Sequence, residues 1–298
     1  MTTTIHRSLR DAILRLNQAH VDSPATTARA VLSSATGRPR EWLVAHDDES
    51  LDGEAQARLN VLLSRVLAHE PLAYVLGHRE FYGLDFHVKP CVLIPRPETE
   101  LLVEFALADL STGGHSQTAG EAGRAASVDL IDVGTGSGAV AVAVRVHAPS
   151  LRVIATDISM AALVVARENA ALHGVSDCIT FVESDLLAGV SAHARTITAN
   201  LPYVTVEEIE ALPPEIQAHE PRVALDGGRD GLDLIRRLLT QLDEHLHPGG
   251  SAYFEIGGTQ GPAALQAAQQ VLPGWHVHLR HDLAGLDRVL QVTRPPMP

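Results

Sequence analysis

Asn200, Leu201, Pro202 and Tyr203 stand in a row directly after a short apolar run, Ile197 to Ala199. A side-chain amide, a backbone carbonyl, a proline that fixes φ and an aromatic ring together suit a planar –NH2 group. The Asn200 oxygen accepts one hydrogen of such a group, the Leu201 carbonyl accepts the other, and Tyr203 covers its face. An amide or aromatic amine is a poor nucleophile because its lone pair is delocalised. Two acceptors matched to the nitrogen as it pyramidalises stabilise the positive charge that forms there. Fixed alignment with an electrophile lowers the barrier further. Set beside a methyl donor, the held nitrogen becomes a methyl acceptor. No base is needed before attack, because the alkylated nitrogen becomes acidic. An ordinary strand-to-loop turn uses Asn-x-Pro just as readily, so the reading depends on what lies beside it.

Upstream, Asp132 to Gly138 reads DVGTGSG and opens the helical run GAVAVAVRV. Gly134, Thr135, Gly136, Ser137 and Gly138 form a tight turn that lets a ligand approach backbone N–H groups at a helix start. The next strand ends at Asp157, an acid suited to a ribose diol. The third strand is followed by Asp185-Leu186, an acceptor for an adenine amino group beside an apolar surface for its ring. Gly134, Gly136 and Ala139 also fit the fingerprint of dinucleotide enzymes. A nicotinamide oxidoreductase leaves Asn200 to Tyr203 without a role, whereas a methyl donor gives them one. A binding module that keeps the pocket only for stability is the non-enzymatic alternative.

The elements that position these groups follow from periodicity. Residues 1–78 read as a small helical domain. Ile5, Leu9, Ala12, Ile13 and Leu16 share one helical face. Ser23-Pro24 reads as an N-cap with proline at the first helical position. A third helix spans about Gly53 to His69, with Pro71 as its stop. Residues 79–97 form a β-hairpin linker, with turn signals at Tyr82-Gly83 and Lys89-Pro90 around a strand within residues 80–94. Residues 98–298 carry the cofactor-binding catalytic domain. PRPETE (Pro95 to Glu100) leads into the apolar helix LLVEFALADL. Residues 111–127, rich in Gly, Ser and Ala, read as a flexible linker. The segments VDLIDV, LRVIATD, CITFVES, TITAN, SAYFEI, WHVHL and RVLQV then alternate with helices. The fold class is α/β: a doubly wound, mostly parallel, seven-stranded sheet with a small N-terminal helical domain.

Composition excludes several classes. The chain has 298 residues, 45% hydrophobic and 20% charged, enough for a large core and two domains. A net charge of −13 argues against direct nucleic-acid binding, which needs Lys and Arg to neutralise phosphates. Cys91 and Cys178, in apolar strand-like contexts, read as buried free thiols in a reducing compartment. No apolar run approaches the ~20 residues of a membrane helix, and the N-terminus lacks the apolar block of a signal peptide. A cytoplasmic protein with no membrane association is expected. His276, His278 and His281 lack the Cys or paired carboxylates that would complete a metal site, so no metal is expected. Glu207, Glu208 and Glu210 read as a solvated helix face or a surface for a basic partner. Arg96, Glu98 and Glu100 either organise the pocket or cap the following helix.

The chain resembles the release factor glutamine methyltransferases, bacterial enzymes of the class I S-adenosylmethionine-dependent fold. The resemblance covers nearly the whole length. It is carried by Pro71 to Val88, Val92 to Glu104, DVGTGSG, Asp157, and the segment from Asn200 to Gly231 with HEPRVALDGGRDGL. It implies methylation of the glutamine amide nitrogen in the Gly-Gly-Gln tripeptide of peptide chain release factors, with S-adenosylmethionine as cofactor. Gly134, Gly136, Gly138, Asp157 and Leu186 would contact the methyl donor, Asn200 to Tyr203 would hold the glutamine, and Asn200 would touch both. The helical domain and hairpin would help dock the release factor. The family usually has Asn-Pro-Pro-Tyr; with Leu201 the tetrapeptide is similar to that of the adenine dimethyltransferases of ribosomal RNA. Amino methylation of adenine in RNA or DNA is therefore the alternative. The acceptor carbonyl survives the change, and the N-terminal domain, hairpin and PRPETE favour a protein substrate.

Overall fold

A computed structural model of the chain describes residues 3–112 and 127–297. Most of the Gly-, Ser- and Ala-rich stretch expected as a linker, residues 113–126, lies outside them. The chain divides into two units: Met1–His78 with Pro213–His219, and Arg79–Leu212 with Glu220–Pro298. Residues 79–97 are counted with the larger unit.

The smaller unit is built on helices Ile5–Gln18, Pro24–Thr36, Arg40–Ala45, Gly53–Leu67 and Leu72–Leu76. Leu16, Val31, Leu32, Leu59 and Leu63 pack into one core with almost no exposure. Each such side chain contributes about 1.5–3 kcal/mol when withdrawn from water. Thr4 and Asp52 cap the first and fourth helices by accepting from Arg7 N and Ala55 N. Ser23 occupies the N-cap position ahead of Pro24, but in a left-handed conformation (φ 48°) with no side-chain cap bond. The helix expected to reach His69 stops at Leu67, where His69 turns to φ 61°. Pro71 begins the next helix instead of ending this one. Two short helices, Arg40–Ala45 and Leu72–Leu76, span too few turns to leave a periodic signature.

The larger unit opens with a hairpin of β1 (His78–Phe81) and β2 (Leu84–His87). Tyr82 and Gly83 both have positive φ, 52° and 74°, as a two-residue hairpin turn requires. Phe81 and Phe86 are buried and meet edge to face at 6.0 Å. The hairpin is shorter than the expected span of 80–94, because the chain after His87 leaves regular structure around Lys89-Pro90.

Seven further strands form the main sheet: β3 (Ser127–Val133), β4 (Val153–Asp157), β5 (Ile179–Glu183), β6 (His193–Ala199), β7 (Leu246–Glu255), β8 (His276–His281) and β9 (Asp287–Thr293). Their spatial order is β5-β4-β3-β6-β7-β9-β8. The first five run parallel, and β9 lies antiparallel between β7 and β8. The seven-stranded, mostly parallel sheet expected from the sequence is what forms. β7 starts at Leu246, five residues before the expected SAYFEI, and carries Pro248-Gly249-Gly250 through an irregular pairing with β6. One cluster of buried side chains, including Ile131, Ile197, Leu238, Leu242 and Phe254, covers one region of the sheet. A second, including Phe86, Leu102, Val142 and Val153, joins the hairpin to it.

The sheet order creates a switch point. β3 continues outward to β4 on one side, while β6 lies on the other. Ligands of doubly wound folds bind at the carboxyl ends of strands at such a point. The register pairs Val133 with Ala199. The glycine turn and Asn200 therefore leave the sheet side by side, although 66 positions separate Gly134 from Asn200 in the sequence (200 − 134).

Candidate active site

The glycine turn is held by a buried acid. Asp132 accepts from Thr135 Oγ1 at 2.7 Å and from Thr198 Oγ1 at 2.8 Å. It thereby ties the turn to β6. Burial pushes its carboxyl up to about 6, against the pull of those hydroxyls. Gly134, Gly136 and Gly138 all have positive φ. At Gly138, the N-cap of helix Ala139–His147, a Cβ would lie 3.1 Å from Ala166 Cβ and 3.2 Å from Ala166 Cα, so a side chain there would be crowded as well as strained by its φ of 82°. Buried Asn169 locks the turn from behind. Its Nδ2 donates to Ser137 O at 2.9 Å and to His87 O at 3.0 Å, and its Oδ1 accepts from His87 N at 2.7 Å. The sequence reading missed Asn169, since nothing near position 169 points to a contact with the hairpin.

At the end of β4, Asp157 Oδ2 accepts from Gly136 N at 2.8 Å and Oδ1 from Ser159 N at 2.9 Å. Each oxygen keeps a second lone pair. Desolvation raises its carboxyl above the ordinary range. Asp185, expected as a free acceptor, has its Oδ2 in an ion pair with Arg237 Nη2 at 2.6 Å. Arg237 is a second residue that sequence reading missed. Leu186 is buried at φ 53°.

A single cavity is lined by Gly134, Thr135, Gly136, Ser137, Asp157, Asp185 and Leu186 together with Asn200, Leu201 and Pro202. Gly138 and Tyr203 are not in its wall. Leu201 packs into the core, where its Cδ2 would stand 3.0 Å from a Cβ at Gly134. Asn200 donates through Nδ2 to Thr99 Oγ1 at 2.9 Å, which leaves Oδ1 available. Tyr203 is turned back: its hydroxyl donates to Glu255 Oε1 at 3.1 Å. Desolvation, with Glu255 beside it, raises the Tyr203 hydroxyl above its usual value. Neither Thr99 nor Glu255 carries a local sequence signal for these contacts. Thr99 lies within PRPETE, which was marked only for its charged members.

Those charged members stand outside the cavity wall. Arg96 Nη2 bonds Glu220 Oε1 at 2.5 Å, with the Glu220 side chain buried. Glu100 Oε1 accepts from Tyr82 N at 3.0 Å, and Glu98 lies in the first turn of the helical segment that leads into Glu100–Thr112. Beyond the tetrapeptide, Thr205 and Glu208 form a capping box on helix Val206–Ala211, so Glu208 is committed to its own helix. The glycine loop Asp226–Gly231 braces the tetrapeptide. Val204 N donates to Leu225 O at 3.0 Å and Gly227 N to Val204 O at 2.9 Å. Gln260 Nε2 reaches both Tyr203 O at 2.8 Å and Asp230 O at 3.1 Å.

The cysteines depart from expectation. Both are free, but Cys91 is half-buried and lines the cavity, and Cys178 is exposed. Cys178 closes the 3-10 turn Ser176–Cys178 ahead of β5, and Cys91 lies in the irregular stretch after the hairpin, so neither occupies a strand interior. His276 and His278 share the exposed face of β8. Among the described residues, no group of three or more His, Cys, Asp or Glu side chains could hold a metal ion, and no helix is long and apolar enough to cross a membrane.

The doubly wound sheet, with the Asn200–Tyr203 tetrapeptide beside a glycine turn at its switch point, is that of a methyltransferase. Residues 121–216 match the methyltransferase small domain, and residues 8–77 match the PrmC N-terminal domain. Among solved structures, a methyltransferase from Pyrococcus furiosus is similar in fold (17% identity, TM-score 0.50, covering 78% of this chain and 97% of that one). So is the human hMettl16 catalytic domain in complex with MAT2A 3′UTR hairpin 1 (16% identity, TM-score 0.54, 78% and 84%). The release factor glutamine methyltransferase of Moorella thermoacetica is 39% identical over 286 residues, covering 96% of each chain. That of Cereibacter sphaeroides is 37% identical over 295 residues, covering 97% of this chain and 98% of its own. The chain belongs to the release factor glutamine methyltransferase family.

Proposed function

We propose that the chain transfers a methyl group from S-adenosylmethionine to the side-chain amide nitrogen of the glutamine in the Gly-Gly-Gln tripeptide of a peptide chain release factor. The observation that carries this reading is Asn200: its nitrogen is tied to Thr99, and it shares one cavity with the glycine turn and Asp157.

The lining residues fit the methyl donor. A Cβ at Gly136 would meet nothing within 4 Å, so the turn is open for close approach of a ligand to its backbone. Asp157 has lone pairs left for ribose hydroxyls. Leu186 and Ile158 supply apolar wall for a purine, and Asp185, held by Arg237, offers its other oxygen to an amino group. When bound, the donor supplies an electrophilic methyl carbon on a sulfonium. The Asn200 Oδ1 and the Leu201 carbonyl then orient the substrate amide and stabilise charge on its nitrogen. Pro202 restricts the loop, and apolar wall excludes water from the reacting atoms. The amide proton is lost after transfer. The helical unit that matches the PrmC N-terminal domain is the part we assign to docking the release factor body. Translation termination is cytoplasmic, and this reading implies that compartment.

Asp157→Asn is expected to weaken binding of S-adenosylmethionine by about tenfold or more, because an amide –NH2 would face one of the two backbone N–H donors that the carboxylate now satisfies. Titration calorimetry checks this; unchanged affinity would remove Asp157 from the donor site. The reaction itself is tested by incubating the protein with methyl-labelled donor and a purified release factor. Label in the Gly-Gly-Gln peptide after digestion is the expected result. Absence of label there, with label in RNA or DNA, would overturn the assignment.

A further inference from the structure

Glu255, the last residue of β7, is 2% exposed. A carboxylate withdrawn from water at this depth needs partners. Its Oε1 accepts from the Tyr203 hydroxyl. Thr99, whose hydroxyl oxygen is taken by the Asn200 amide, has its own proton free for an acceptor, and its side chain favours the ionised form of Glu255. Oε2 is buried with no hydrogen-bond partner, so the uncommitted Thr99 proton is the neighbouring donor left for it. Tyr203 is thus bonded to the buried carboxylate, and Thr99, which holds Asn200, neighbours it.

We infer that Glu255 is a positioning residue for methyl transfer: ionised, it takes the protons of Tyr203 and Thr99, and so holds the tetrapeptide with the Asn200 oxygen turned toward the substrate amide. This rests on the proposed function of the tetrapeptide. The polarity of the chain is what matters. A Thr99 hydroxyl that donates to a carboxylate can only accept from Asn200, which commits the amide nitrogen to Thr99 and the oxygen to the cavity. A protonated Glu255 loses acceptor capacity and releases one of the two hydroxyls. Thr99 can then donate to Asn200 instead, and the amide can turn over.

The surroundings give this device a pH range. Burial pushes the Glu255 carboxyl up to about 7; Thr99, Tyr203 and Arg288 on β9 pull it down, and Glu98 from PRPETE raises it further. Arg96, paired with Glu220, bears on the Tyr203 end. The sign follows from the raised value. The folded protein holds this proton more tightly than the unfolded chain, so ionising Glu255 as pH rises toward 7 costs stability. The form required for transfer is the less stable one.

Glu255→Gln keeps the size of the side chain and an acceptor for Tyr203, but removes the charge. It is expected to lower kcat at pH 8 by tenfold or more and to leave the affinity for S-adenosylmethionine within twofold. It should also abolish the acid limb near pH 7 that the wild type shows, and leave thermal stability at pH 8 equal to or above wild type. A purely structural Glu255 would lose stability with activity and would show no such limb. Thr99→Val, close in shape, tests the same chain from its other end: its loss should not add to that of Glu255→Gln in the double variant. Wild-type kcat and pH profile in Glu255→Gln, or additive losses, would overturn the inference while the proposed function stands. Wild-type protein that labels no release factor glutamine would take both down.

Discussion

Asn200→Ala is expected to leave the fold intact and to cut methyl transfer by about 10²–10³-fold, equivalent to about 2.7–4 kcal/mol of transition-state stabilisation. The loss is expected to be large because, in the proposed reaction, Asn200 Oδ1 faces charge that develops only during transfer. The same oxygen makes an ordinary hydrogen bond to the neutral amide beforehand, so its removal falls mainly on kcat. The fold survives because the side chain is only partly buried and the hydrogen bond it gives up, to Thr99 Oγ1, is one neutral side-chain contact. Affinity for the methyl donor should change much less than turnover, since Gly134, Gly136 and Asp157 still form that wall. Single-turnover rates with labelled donor, calorimetry and circular dichroism together check all three parts. Near-normal transfer would remove Asn200 from the chemistry.

Gly231→Ala is the substitution expected to damage the acceptor loop most. Gly231 has φ 74°, which already disfavours a side chain, and a Cβ there would overlap both Tyr203 O and Gln260 Nε2. Those two atoms are hydrogen-bonded to each other at 2.8 Å, so neither can withdraw without breaking the bond that fixes Tyr203. The neighbouring Gly227 is hemmed in similarly, with Pro202 O 2.6 Å from its would-be Cβ, so the loop cannot move aside in that direction. Left-handed strain together with a lost buried hydrogen bond amounts to about 2–4 kcal/mol of stability. Transfer should fall with it, because the backbone of Tyr203 is displaced. Urea unfolding reads the first effect and labelled-donor turnover the second. An unchanged urea midpoint would show that the Asp226–Gly231 loop packs on the tetrapeptide less closely than described.

Glu255 changes how this loop is understood. The glycine segment holds the backbone of the tetrapeptide from one side through Gln260, and the buried carboxylate holds its side chains from another. Tyr203, read from the sequence as a cover for the substrate amide, has its hydroxyl anchored on Glu255.

Local patterning by itself determined the larger part of this protein. Alternating apolar segments dictated the seven strands, glycines and an acid at successive strand ends marked a turn at the cavity, and Asn200 to Pro202 marked the strand end beside it. These are legible because period, turn chemistry and strand-end position depend on residues a few places apart. Only the tertiary structure decided the partners: Thr99 against Asn200 across 101 positions, Glu255 against Tyr203 across 52, Asn169 against His87 across 82, and Arg237 against Asp185 across 52. Each pairing depends on which strands adjoin and in what register. A one-residue slip in β6 would move Asn200 to the other face of the sheet without altering a single local signal. Burial of the two cysteines was misread for the same reason, since an apolar neighbourhood in the chain does not by itself place a side chain within a core.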